Sequence, residues 1–90
     1  AKRAVVAERS DGVVRLRFRR DGTFVSKPGI VNALDAVDDG ETVIIDGAGQ
    51  YIDHDVKEVL ATFVDDARHR HITVTLVAID LGLAKPGGGH

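Results

Sequence analysis

Ninety residues are enough for one compact domain and too few for two. Apolar residues make up 43% of the chain and charged residues 29%, the balance of a globular protein, which excludes disorder over the full length. A net charge of -2 gives no global pull toward nucleic acid or anionic lipid, and the absence of cysteine removes disulfides, thiolate nucleophiles and cysteine-based zinc sites.

In chain order, Ala4 to Glu8 reads as a short strand. Val14, Leu16 and Phe18 then alternate with Arg15, Arg17 and Arg19, the period-two pattern of a strand with one buried face. Ser10-Asp11-Gly12 between them predicts a hairpin turn, and Asp21-Gly22 a second turn. Ser26 can cap a helix, and Pro28 suits the first helical turn, where an N–H is not needed. Ile30, Ala33, Leu34 and Val37 supply its apolar stripe, with Gly40 as the stop.

Thr42 to Asp46 is a short apolar run between glycines, read as a strand buried on both faces. After the loop Gly47 to Gln50, Asp53 can cap a second helix. Its stripe is Val56, Val59, Leu60, Phe63, Val64 and Ala67, and Arg68 to His71 sit at its negative pole. Ile72 to Ile79, rich in Val, Ile and Thr, predicts the last strand. The Gly-rich stretch 84–90 reads as a linker-like tail or a non-native addition. The domain is therefore placed at 1–83.

The order β-β-α-β-α-β predicts an α/β fold. Its sheet would be mixed and four- to five-stranded, with a hairpin edge and helices mainly on one face. Ala1 to Ala7 is too short for a secretory leader, and Val74 to Ile79 falls far below the roughly 20 residues of a membrane helix.

Four constellations invite chemistry. Asp53-His54-Asp55 could hold a metal, yet consecutive helical residues point apart, and capping already accounts for the aspartates. His54, His69 and His71 could form a zinc site, yet Arg68 and Arg70 are interleaved and would repel a cation. Gly47 to Gln50 stands where a phosphate loop would. It lacks the patterns of one, and the acidic helix start opposes an anion. Arg15, Arg17 and Arg19 would line one strand face, either solvated or as a basic docking face for a partner. The scarcity of aromatic side chains argues against nucleic acid.

Three segments together carry a family resemblance. They are Thr23-Phe24-Val25-Ser26-Lys27, then Val43-Ile44-Ile45-Asp46-Gly47 with Tyr51-Ile52-Asp53-His54-Asp55, and Ile72-Thr73-Val74-Thr75-Leu76. In this order and spacing the chain resembles a STAS domain. It is most similar to the short one at the cytoplasmic C-terminus of bacterial SulP-type sulfate or bicarbonate transporters. The resemblance implies an anti-anti-sigma-factor-like fold, no catalysis and no cofactor. It implies a place on the cytoplasmic face of the inner membrane and contacts with the transmembrane part of the same transporter. A homodimer in the full-length protein and a cytosolic protein partner are further implied, and nucleic acid is not.

In the anti-anti-sigma branch of that family, an Asp opens the helix and a Ser two residues later is phosphorylated. Asp53 matches the Asp, whereas Asp55 holds the serine position and has no hydroxyl to modify. This departure disfavours a free-standing regulator that binds an anti-sigma factor. A small metal- or nucleotide-binding protein is the alternative of another class. The expected partner surface is the loop and helix start, Gln50, Tyr51, Asp53, His54, Asp55 and Lys57.

Overall fold

The computed structural model describes residues 4–20, 24–79 and 81. Its elements are β1 (Val5–Ser10), β2 (Val13–Phe18), α1 (Lys27–Asp35), β3 (Thr42–Asp46), α2 (His54–Ala67), a 3-10 turn (Arg68–Arg70) and β4 (Thr73–Val77). The sheet order is β1-β2-β3-β4, with β1 antiparallel to β2 and the other pairs parallel. The chain is thus an α/β protein, with a mixed four-stranded sheet and two α-helices among the described residues. The turn expected at Asp21-Gly22 and the stretch 84–90 lie outside the described residues.

Local chemistry sets each element. Asp11 and Gly12 both take positive φ, 51° and 77°, between the paired residues Ser10 and Val13. That is the two-residue turn whose twist matches an antiparallel pair. Ser26 caps α1 by accepting from the Gly29 N–H at 3.2 Å, with Pro28 in the first turn. Asp53 caps α2 by accepting from the Val56 N–H at 3.0 Å. His71, at φ 56°, turns the chain out of the 3-10 segment, and the Ile72 N–H returns to the Ala67 carbonyl at 2.9 Å.

Both crossovers, β2–α1–β3 and β3–α2–β4, place their helices on the same face of the sheet. On that face Val14, Leu16 and Phe18 of β2 and Val43 and Ile45 of β3 pack with Ile30 and Leu34 of α1. Val56, Leu60, Phe63 and Ala67 of α2 join the same core, as do Val5, Val37, Ile52 and Ile72. The opposite face has no helix over it among the described residues.

This corrects the expectation for β3. Its burial alternates, with Val43 and Ile45 buried and Thr42, Ile44 and Asp46 half-buried, so one face is covered and not both. An unbroken apolar run cannot distinguish those cases, because it also serves a strand whose second face is only partly shielded by neighbours. The last strand is likewise shorter than expected, Thr73–Val77, with Ile72 buried just before it.

Helix α1 also stops earlier than expected. It ends at Asp35, five residues before Gly40, and Val37 is buried from outside the helix. Two arginines from distant elements hold the intervening loop. Arg9 of β1 donates to both oxygens of Glu41, at 3.1 and 3.0 Å, and to the Ala36 carbonyl. Arg70 donates to Asp39 Oδ1 at 2.6 Å and to the Val37 carbonyl at 2.8 Å. These bonds occupy carbonyls near the helix end that would otherwise lack partners.

Glu41 accepts in addition from the Asp38 N–H at 2.7 Å. That backbone bond lowers its pKa below the ordinary 4.5, with partial burial opposing and the Arg9 hydrogen bond and charge assisting. A carboxyl with a lowered folded-state pKa adds stability above its unfolded pKa and loses it as pH falls through the folded one. The urea midpoint of the wild type is therefore expected to exceed that of Glu41→Gln near neutrality. The gap should close on acidification from about pH 6 to about pH 3. A gap independent of pH would show that the Glu41 charge contributes nothing.

Candidate functional site at the strand ends

Parallel strands β3 and β4 both end at the same edge of the molecule, and both helices begin there. In open α/β sheets, ligands and partners are met outside these carboxyl ends. The loop after β3 is tightly built. Asp46 Oδ1 accepts from the Ala48 N–H at 2.8 Å, and the Gln50 N–H closes the turn on the Gly47 carbonyl at 2.9 Å. Ala48 and Gly49 occupy the turn at φ 55° and 69°. Asp46 is thus a turn-building side chain, a role not read from the sequence. Its signal was an Asp two residues before the N–H it accepts.

Gly47 is buried, and its N–H donates to the Val77 carbonyl at 2.9 Å. A Cβ there would meet the Ile79 side chain and lie 2.8 Å from the Ala78 carbonyl oxygen. The loop therefore leaves the sheet in close contact with the segment after β4.

From this base the chain alternates sharply. Tyr51 is 84% exposed, Ile52 is buried in the core, and Asp53 is half-buried as the cap. His54 and Asp55 are both exposed, and His54 Nε2 lies 3.4 Å from Glu58 Oε2 one turn on. Asp55 stands in the first helical turn, where a carboxylate favours the positive pole. Lys57 lines a shallow hollow of about 190 Å³ with Gln50, Tyr51, Ile52, Ala78 and Ile79. The six residues expected at the partner surface thus occupy one loop and one helix start. The hollow's far wall, Ala78 and Ile79, was not anticipated.

A second exposed aromatic was missed. Phe24, just before the α1 cap, is 63% exposed, while Val25 beside it packs on the core. Lys27 of α1 and Asp55 and Glu58 of α2 border one hollow, so the two helix starts are neighbours.

The other candidates separate. His54 opens α2 whereas His69 and His71 follow its far end, and no three His, Asp or Glu side chains among the described residues could share a metal ion. Arg15 and Arg17 lie on the uncovered sheet face. Arg15 stands in register between Glu8 and Ile44, and Arg17 between Val6 and Asp46. Acidic neighbours thus interrupt the arginine row. Arg17, Arg19 and Arg20 border a shallow hollow of about 320 Å³ with Val6 and Phe18.

Comparison of the chain with known protein families, curated proteins and solved structures finds no match. Among the described residues, no helix is long and apolar enough to cross a membrane.

Proposed function

We propose that this chain is a STAS-type domain that works by protein–protein contact in a SulP-type transporter of sulfate, bicarbonate or a related anion. In this reading it sits on the cytoplasmic face of the membrane, beneath the transmembrane part. It contributes to assembly or to gating by contacting that part differently in two transport states. The cargo is held in the membrane portion, and the domain carries no reaction.

One observation carries the reading. The β3 exit loop and the start of α2 present Tyr51, His54 and Asp55 to solvent from a base anchored by buried Gly47 and Ile52. Rigid support beneath exposed aromatic and charged groups suits a contact surface. The hairpin-led strand order and the one-sided helical layer agree with the resemblance in the sequence.

The test is charge reversal at Asp55 in the intact transporter. Asp55→Lys is expected to weaken the partner contact by about tenfold and to depress anion uptake in vesicles, with the isolated domain's melting point little changed. Unchanged uptake by a stably folded variant would reject this surface.

A further inference from the structure

Four aspartates are followed directly by glycine: Asp11, Asp21, Asp39 and Asp46. In such a pair the glycine amide nitrogen, unshielded by a side chain, can attack the carboxyl carbon of the aspartate before it. Asp21 lies outside the described residues. The fold treats the other three differently.

At two of them both reacting groups are held. The Gly40 N–H donates to the Arg70 carbonyl at 3.0 Å, while Asp39 Oδ1 accepts from Arg70 Nε at 2.6 Å. The Gly47 N–H donates to the Val77 carbonyl at 2.9 Å, while Asp46 Oδ1 accepts from the Ala48 N–H at 2.8 Å. Attack at either site first has to break these bonds.

The hairpin tip is built otherwise. Asp11 and Gly12 are both exposed, and a Cβ on Gly12 would meet nothing within 4 Å. Their φ values of 51° and 77° define a type I′ turn. A half-rotation of the peptide between them converts it to type II′, whose first central residue has ψ near about −120°. At that ψ the Gly12 nitrogen eclipses the Asp11 Cβ and comes against the side-chain carboxyl carbon. Asp11 already holds the positive φ that both turns require, and glycine accepts either sign at its own position. The rotation moves only the Asp11 carbonyl and the Gly12 N–H, which no other described residue bonds. The Gly12 carbonyl keeps the Thr42 N–H at 2.9 Å, and Ser10 stays opposite Val13.

We propose that Asp11 is a modification site, at which the chain converts to isoaspartate through a succinimide closed between Asp11 and Gly12. The Gly12 nitrogen bonds to Asp11 Cγ, and the carboxyl hydroxyl leaves as water with the amide proton. A water molecule then reopens the ring. Breaking the bond from nitrogen to Cγ restores aspartate. Breaking the bond from nitrogen to the main-chain carbonyl carbon frees that carbon as a carboxylate and leaves the backbone running through Cβ. The water lost is regained, so the mass is unchanged and no oxidant, reductant or cofactor enters. The product carries one more carbon in the turn. A two-residue turn sets the register of its strands, so the longer turn loosens β1 against β2. This inference does not depend on the transporter reading.

The test ages the intact folded chain in warm, mildly acidic buffer and then digests it with trypsin. Asp11 falls in the peptide 10–15, and the other three aspartates fall together in 21–57, because Pro28 blocks cleavage after Lys27. Electron-transfer fragmentation locates isoaspartate within the longer peptide. Isoaspartate is expected at Asp11 at least about five times as fast as at Asp39 or Asp46, the factor carried by one net backbone hydrogen bond. In concentrated urea the three rates should converge, because the bonds shielding Asp39 and Asp46 are then gone. Asp11→Gly keeps a pair suited to the turn and should hold its melting point longer than the wild type on ageing. Asp39 or Asp46 leading in the folded chain, rates already equal there, or an ageing loss in Asp11→Gly as large as the wild type's would each overturn the proposal.

Discussion

Phe63→Ala is expected to lose about 3–5 kcal/mol of folding free energy, because it removes an aromatic ring from the layer where α2 meets α1. Phe63 is buried within the core and borders the inter-helix groove with Val31, Leu34 and Val59. Total stability for a chain of this length is of the order of 5–13 kcal/mol. The variant therefore loses between about a quarter and all of that stability. The groove lets solvent reach part of the vacated space, so the lower end of the range is the better expectation. Urea unfolding followed by circular dichroism measures the loss. A shift of under about 1 kcal/mol would mean that the helices do not pack through this ring.

Gly47→Ala is expected to cost about 2–3 kcal/mol, a large effect for one methyl group. The residue's N–H is tied to Val77, and the added carbon would press on the Ile79 side chain and on the Ala78 carbonyl. A side chain can rotate away, but the carbonyl belongs to backbone that continues directly from β4. Ile79→Ala in the same chain should therefore recover only part of the loss. The exit loop would shift as well, so partner binding at the proposed contact surface, with Tyr51 and Asp55, should weaken beyond what the stability loss explains. Thermal melts of the single and double variants separate the two contributions. Full recovery in the double variant would place the whole clash in the side chain.

The features legible in the sequence are those whose partners lie close along the chain. Ser26 and Asp53 cap bonds that span three residues, the Asp11-Gly12 turn is closed within its own hairpin, and the alternation of Val14 to Arg19 records one covered face. The placement of the candidate site's residues was legible in the same way. Gln50 to Lys57 are contiguous, so they could not fail to share one loop and helix start.

What escaped depends on contacts across the chain. Arg70 reads as a cation at a helix pole, yet it reaches Val37 and Asp39, 33 and 31 positions away. Arg9, just past the strand read at Ala4 to Glu8, carries no local signal, yet it meets Glu41 from 32 positions away. The early end of α1 follows from those bonds, since Val37 supports the core from a loop that nothing nearby in sequence would hold. The half-covered state of Ile44 likewise depends on what packs over that sheet face, where no helix lies among the described residues.

The loop between α1 and β3 is gripped from both sides, by an arginine of the first strand and another just ahead of the last. A protease that severs the backbone between Asp38 and Gly40 would therefore produce two pieces that stay bound to each other. The N-terminal piece would supply β1, β2 and α1, and the C-terminal piece β3, α2 and β4. Such split halves, made separately, offer a route to reconstituting the domain from complementary fragments.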